Sequence, residues 1–373
     1  MCLDNTFGRR SMLASGLAAA AFLGLTACDS TKGKDAASGS AASSSVPKTG
    51  VHLNTLGTEA GPPPSAKSVG ISSALVVDGK VYVIDCSRSS VTQFAKAGLA
   101  FGDLAGIFLT HLHADHIADY YNYFLLGGWL LQPDAPGFRP VPAYGPGSAG
   151  GLPHREGGGS APVVAPSDPT PGTVTLTNKL TEAYAYSMNI FARDAWLADP
   201  NSLMAVHDIE LPPVGADWNN TSPTMSPFPV MADDRVKVSA TLVRHDDVFP
   251  AFAFRFDLDG GKSVTFSGDT VKSDNLITLA HGTDLLVHEA IFDIPAHPEA
   301  SATPGTMPAD YMQRSHTSAR EVGEVAQAAD AQRLVISHYV PGTPESEWVS
   351  RIRSGGYTRD TTVAADLQTF EVK

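Results

Sequence analysis

The sequence predicts a layered α/β fold for its body, residues 51–373, whose length suits one large domain or two small ones, and three observations predict it. Short β-rich runs alternate with helix-patterned runs along most of the chain, the arrangement expected of sheets covered by helices. An apolar strand over 105–110 empties directly into His111-Leu-His-Ala-Asp-His116. Further on, His245, Asp269 and His338 each follow an apolar, strand-like stretch, so strand ends carry the polar chemistry.

The elements follow in order. Residues 73–78 and 81–85, with Gly79-Lys80 between them, predict a hairpin. A helix is expected from about Ser89 to Ala97, then the strand over 105–110. Residues 117–126 place apolar and aromatic side chains at helical spacing, with Gly127 and Gly128 as the stop. Pro and Gly crowd residues 132–175, which therefore read as loop with a turn at Tyr144-Gly-Pro-Gly147. Residues 179–197 pattern as a helix that serves as a lid or faces a partner. Strands are expected near 236–244, 251–258, 263–267 and 284–288. A helix around 318–329, a strand over 333–337 and a last strand around 362–371 complete the chain. No repeat of fixed period runs through it.

Residues 1–27 read as an export signal. Arg9 and Arg10 precede an apolar run, residues 12–27, too short and too rich in small residues to span a bilayer comfortably. The arginine pair resembles a twin-arginine signal, and Leu25-Thr-Ala-Cys28 resembles a lipobox, which implies a lipid on Cys28. A plain secretory signal with an incidental cysteine is the alternative. Residues 28–50, rich in Ser, Ala, Gly and Lys, cannot bury enough apolar surface to fold and read as a flexible tether. The expectation is a protein of the periplasm or the outer face of the cell membrane, anchored through Cys28.

The chain of 373 residues has a formal charge of −13, and loss of the signal, with its two arginines and Asp4, makes the body more acidic still. Such a body lacks the basic footprint that a phosphate backbone requires, which argues against a nucleic-acid partner. Cys2 leaves with the signal and Cys28 is capped, so Cys86 has no partner and no disulfide framework exists.

Imidazoles and carboxylates are the ligands zinc takes outside thiolate sites. Two histidines two positions apart on an extended strand end project to one side, and the turn that follows lets Asp115 and His116 point back. A lone histidine is more often a satisfied polar group. Four ligand-type residues in six positions are hard to explain as core filling, so His111, His113, Asp115 and His116 read as metal ligands.

The same run matches the HxHxDH motif of the metallo-β-lactamase superfamily. From about Thr55 to Val372 the chain resembles that superfamily's ribonuclease Z and type III arylsulfatase branch. Leu56-Gly-Thr58, Val243-Arg-His245, Phe266-Ser-Gly-Asp-Thr270, Leu286-Val-His-Glu-Ala290, Ser315-His-Thr-Ser-Ala319 and Val335-Ile-Ser-His338 carry the resemblance in the right order. It implies a four-layered αββα sandwich with a single catalytic domain. It implies that His111, His113 and His245 hold one divalent ion, that Asp115, His116 and His338 hold a second, and that Asp269 bridges them. By composition alone Asp269 reads equally as a turn aspartate. The metals, zinc by the chemistry of the set, generate a hydroxide nucleophile. By the same resemblance, Asp115 would orient or deprotonate that water. The resemblance likewise implies that His316 would protonate the leaving oxygen, and Glu289 is the candidate to orient its ring. A surface histidine at a helix start is the bland alternative for His316. His288 is left between a catalytic and a supporting role.

The branch's tRNA-binding arm would sit between His245 and Asp269, where this chain has room for a strand pair and little else. The reading that follows is an extracytoplasmic hydrolase that attacks a small, aryl sulfate-like ester with metal-bound hydroxide. The alternative is a phosphodiesterase or ribonuclease Z-like endonuclease on the same site. A lactonase or β-lactamase, and a non-catalytic metal-holding surface module, stand behind these. The aromatics of 120–124 with Tyr184, Tyr186 and Phe191 supply either an apolar pocket or core. His52, His154, His207, His281 and His297 match no motif and read as surface or loop, His207 with some claim to a substrate contact. A homodimer is left open.

Overall fold

The computed structural model describes residues 45–155, 158–194, 198–292 and 309–373. The signal, Cys28, the tether up to residue 44, residues 195–197 of the expected helix and His297 lie outside the described residues. Among the described residues no helix is long and apolar enough to cross a membrane.

The first sheet holds β1 (Val51–Gly57), β2 (Ser72–Val77), β3 (Lys80–Ile84), β4 (Leu104–Phe108), β5 (Val141–Pro146), β6 (Met204–Ile209) and β14 (Gln368–Glu371), in the order β14-β1-β2-β3-β4-β5-β6. The second holds β7 (Phe228–Ala232), β8 (Val236–Leu242), β9 (Phe252–Leu258), β10 (Ser263–Phe266), β11 (Leu285–His288), β12 (Arg333–Ile336) and β13 (Asp360–Val363), in the order β13-β12-β11-β10-β9-β8-β7. The helices are α1 (Ser90–Lys96), α2 (Ala114–Ile117), α3 (Asn122–Leu125), α4 (Thr173–Ala183), α5 (Ala185–Arg193), α6 (Pro200–Leu203), α7 (Asp274–Leu279), α8 (Ala309–Ser315), α9 (Ala319–Ala328) and α10 (Glu345–Ser354).

Strand alternation explains how these elements stack into four layers. In β2 and β3, Ala74, Val76, Val81 and Val83 face outward, onto Phe94 of α1, Tyr123 and Phe124 of α3 and Met188 of α5. Their neighbours Leu75, Val77, Tyr82 and Ile84 face the second sheet and meet Phe252, Phe254, Phe256, Val264 and Phe266. On the far side, Leu286, Leu334 and Ile336 pack against Leu276 of α7, Val322 and Val325 of α9, and Trp348 and Ile352 of α10. Three apolar layers between four structural ones make the αββα sandwich.

The hairpin, α1, β4, β8 to β12 and α9 lie where the sequence places them, within a residue or two. Four departures have physical causes. β5 runs through the stretch expected to be loop, because Pro140, Pro142 and Pro146 mask a strand that pairs with β4 over only two registered positions. β6 and β7, half-exposed edge strands, also escape the sequence. Gly127 opens a 3-10 turn, Gly127–Leu130, instead of ending a single helix, and the apolar run before it breaks into α2 and α3. The last strand is two, since β13 and β14 join different sheets.

Candidate metal centre

β3, β4 and β5 run parallel in the first sheet, and β10 to β12 run parallel in the second. Their carboxyl ends meet, as ligand-bearing ends do in open α/β sheets. Phe252 N–H donates to the Thr110 carbonyl at 2.9 Å and ties the β4 exit to β9. Gly268 makes the close approach possible. Its φ is +59°, and a Cβ there would stand 2.4 Å from the Phe252 carbonyl oxygen and 3.2 Å from Thr110 Cβ.

That approach delivers Asp269 into the histidine cluster. Its Oδ2 lies 4.0 Å from His111 Nε2, 3.8 Å from His245 Nε2 and 3.3 Å from His116 Nε2. Its Oδ1 lies 3.3 Å from His338 Nδ1. On one side of Asp269, His111, His113 and His245 offer ligand atoms within 4.8 Å of one another; on the other, Asp115, His116 and His338 do the same. All seven residues that the sequence nominates as ligands are therefore brought together, with Asp269 between the two triads.

The local geometry strips these atoms of other partners. His245 Nδ1 donates to the Ser315 carbonyl at 2.8 Å, which leaves Nε2 bare. That lone pair faces His113 Nδ1 at 3.2 Å, and His113 Nδ1 stands 3.0 Å from His111 Nε2. One proton cannot satisfy three nitrogens so placed; a cation can. In the other triad His116 Nε2 and both His338 ring nitrogens are buried without a hydrogen bond, as is Asp269 Oδ1 beside them. Buried orphans of this kind are costly. His338 also adopts a left-handed backbone, φ +57°, uncommon for a residue with a Cβ. The donor set is nitrogen and carboxylate oxygen throughout, which fits divalent metal.

The charges agree. Burial, reinforced by the neighbouring imidazoles of His116 and His113, holds His111 well below its usual pKa, and burial takes His245 down to about 3. Both rings are neutral and ready to ligate. Burial works against the Asp269 carboxylate, yet His338 and His116 hold it well below the usual range. Burial likewise opposes charge on His116, but Asp269 and Asp85 overcome it and raise the ring well above its usual value. Without a cation, the carboxylates draw a proton to the place a metal would take.

Glu289 and His316 sit beside this centre. Glu289 Oε2 lies 3.2 Å from His316 Nδ1, while Oε1 accepts from Thr317 N–H at 2.7 Å. Ser318 caps α9 through a capping box with Glu321, which fixes the start of the helix directly after His316. Burial lowers the His316 pKa, but Glu289 and then Asp269 outweigh it and push it up to about 9. His288 is fully buried, with Nδ1 against the Glu289 carbonyl, and joins none of the metal-sized groups among the described residues.

Asp85 is the site residue the sequence reading misses. It ends β3 in a left-handed conformation and accepts from His116 Nδ1 at 2.8 Å and from Thr110 N–H at 2.8 Å. It thereby sets the His116 tautomer and the exit of β4 together. Gly61 N–H likewise donates to Asp115 Oδ2 at 3.1 Å. The aromatics at 120, 121, 123 and 124 are core, whereas Tyr184 and Tyr186 are exposed. The His207 ring stacks on Tyr144.

Paired sheets with metal-ready donors at their joined edge define a class, the metal-dependent hydrolases, and the chain belongs to the metallo-β-lactamase superfamily. Residues 68–167 match the family model described as the metallo-beta-lactamase superfamily, and residues 180–339 match the beta-lactamase superfamily domain. Within the superfamily the chain is similar to ribonuclease Z. That of Mycobacterium bovis is 28% identical over 326 residues, covering 86% of this chain and 98% of the relative. Human tRNase Z, short form, superposes with a TM-score of 0.55 at 19% identity over 86% of this chain and 99% of its own. The metallo-beta-lactamase fold protein YhfI from Bacillus subtilis does so with a TM-score of 0.55 at 14% identity over 86% and 99%.

Proposed function

We propose that this chain hydrolyses phosphodiesters at a two-metal centre, with zinc the favoured metal for an imidazole and carboxylate donor set. The observation that carries the reading is the similarity to ribonuclease Z along nearly the whole of the relative, joined to a Glu289–His316 pair beside Asp269. Ribonuclease Z enzymes cleave phosphodiester bonds. This moves the phosphodiester ahead of the aryl sulfate that the sequence reading put first.

His111, His113 and His245 would hold one ion and Asp115, His116 and His338 the other, with Asp269 shared. A divalent pair there supplies a water of lowered pKa and neutralises charge on the ester oxygens. Asp115, which accepts from Gly61 N–H through Oδ2, would take that water's proton. His316 is the acid. Glu289 takes Nδ1, so Nε2 is the atom free to protonate a leaving oxygen. A small diester suits the chain better than tRNA. The interval between His245 and Asp269 is filled by β9, its turn and β10, and the chain is acidic.

The test is a side-by-side assay of the metal-loaded protein on bis(p-nitrophenyl) phosphate, p-nitrophenyl sulfate, a lactone and a tRNA precursor. The expected order puts the phosphodiester first. Faster turnover of the sulfate would restore the sulfatase reading, and specific cleavage of the precursor would replace a small substrate with RNA.

A further inference from the structure

The residues that follow β3 grip their surroundings one after another. Asp85 accepts from His116 Nδ1, Cys86 N–H donates to the His116 carbonyl at 2.7 Å, and Ser87 N–H donates to the Ile71 carbonyl at 3.1 Å. Arg88 reaches into the loop over 58–71 that joins β1 to β2. Its guanidinium pairs with the Glu59 carboxylate, and Nη2 also donates to the Ser68 carbonyl at 3.4 Å. The pair is largely buried, with side chains 21% and 10% exposed. Two charges that have left water so far are weak evidence of added stability, and their use has to be sought elsewhere.

The base of the loop is closed without them. The Asp366 carboxylate accepts from Thr58 N–H at 3.0 Å, from the Thr58 hydroxyl at 2.9 Å and from Val69 N–H at 2.8 Å. Arg88 grips the span between. There Glu59 Oε2 accepts from the Ser65 hydroxyl at 2.8 Å, across Pro62-Pro63-Pro64. Proline rings fix φ, so a run of three that is tied at both ends has little freedom left. Directly before it, Ala60 N–H donates to the carbonyl of Tyr339, the neighbour of His338, at 3.1 Å. Gly61 N–H donates to Asp115 Oδ2 at 3.1 Å. That bond decides how the carboxylate is turned: Oδ2 lies 3.8 Å from His116 Nε2 and 3.6 Å from His338 Nε2, which leaves Oδ1 for the water.

We propose that Arg88 acts through Glu59 as a positioning residue for Asp115, whose part in hydrolysis is the reading given above. The ion pair fixes residues 59–65, and Gly61 N–H then holds Oδ2 toward His116 and His338.

The experiment compares the full chain with Arg88→Ala, Arg88→Lys and Glu59→Gln, each loaded with zinc or with cobalt(II). Zinc-loaded Arg88→Ala is expected to keep two ions and a KM within about twofold, and to lose about 10–100-fold in kcat, as the loss of an outer partner does. Arg88→Lys keeps the charge without the planar fork and should recover part of that loss. Glu59→Gln keeps the shape of the carboxylate and tests the same pair should Arg88→Ala not fold. The cobalt(II) absorption spectrum reports the ligand set with no substrate present; it should shift in Arg88→Ala and move back in Arg88→Lys. An unaltered kcat, or an unaltered cobalt spectrum, in both Arg88→Ala and Glu59→Gln would overturn the proposal. So would a loss that Arg88→Lys leaves untouched or that follows Tm alone, because the pair would then serve only the fold. A wild-type protein that turns over none of the esters would sink the hydrolytic reading, while the cobalt spectrum still judges the clamp.

Discussion

Asp85→Asn should weaken one of the two metal positions and spare the other. The change keeps size and shape, so the amide oxygen still accepts from Thr110 N–H, now at 2.8 Å from the carboxylate. Its NH2 group must then face His116 Nδ1, where the carboxylate oxygen accepts at 2.8 Å. Two donors cannot share that contact, so the His116 proton moves to Nε2, the atom that points at Asp115 and Asp269. That nitrogen can no longer ligate without losing the proton again. Loss of such an outer partner typically costs 10–100-fold in metal affinity, about 1.4–2.8 kcal/mol. Titration with zinc against a chromophoric chelator should show one site unchanged and one weakened within that range. Calorimetry on the metal-free protein should show a lower Tm, because the buried His116 ring loses one of the two carboxylates that hold its charge there. Two sites of unaltered affinity would refute the account of how His116 is held.

Other perturbations separate the remaining roles. Asp269→Ala removes the carboxylate common to both triads, so metal analysis should find fewer than two ions per chain and activity near background. His316→Gln should retain both metals yet lose roughly 10²–10⁴-fold in kcat, most for substrates with poor leaving groups; a uniform loss across a leaving-group series would remove it as the acid. In the metal-free protein His316 is raised from an ordinary value near 6.5 to about 9. Its contribution to stability is therefore fully present below about pH 6.5 and fades as pH climbs through 9, which denaturant titration of wild type and His316→Gln at several pH values would detect. Gly268→Ala forces a Cβ against the Phe252 carbonyl at a positive φ, so Tm and metal content should fall together. A stable variant with full metal would mean the sheets have slack there.

How much of this was legible depended on where each signal is stored. His111 to His116 is local: the ligands stand in six consecutive positions, and one strand end suffices to aim them. His245, Asp269 and His338 are far apart in sequence, and without the ordered motifs of the superfamily nothing would have joined them. Asp85 was missed because an aspartate closing an apolar strand is commonplace, and its partner lies 31 positions away. The Ser315 carbonyl that sets the His245 tautomer leaves no trace in sequence at all. β5 was hidden by its prolines. The inward and outward faces of β2 and β3, by contrast, follow from simple alternation.

Both sheets supply groups to the centre, and that decides what metal does for the fold. Asp85, His111, His113, Asp115 and His116 hang from the first sheet; His245, Asp269, Glu289 and His338 hang from the second, with His316 between α8 and α9. A bound cation is therefore a tie between sheets. Yet the sheets already share an apolar layer, in which the Phe108 ring meets Phe254 at 5.6 Å and Phe256 at 5.0 Å. Small metal domains unfold without their ion because they have no such layer. This chain should stay folded when stripped and lose only the linkage term, about 4 kcal/mol for each ion at a metal concentration a thousand times Kd. The loss should concentrate at the joined edge, where the orphaned His116, His338 and Asp269 atoms recover their cost in isolation. Hydrogen exchange after chelation should therefore rise first in the segments carrying His113, His338 and the turn at Gly268, while β2 and β9 keep their protection. Uniform deprotection of both sheets would show that the centre, and not the aromatic layer, holds the sandwich closed.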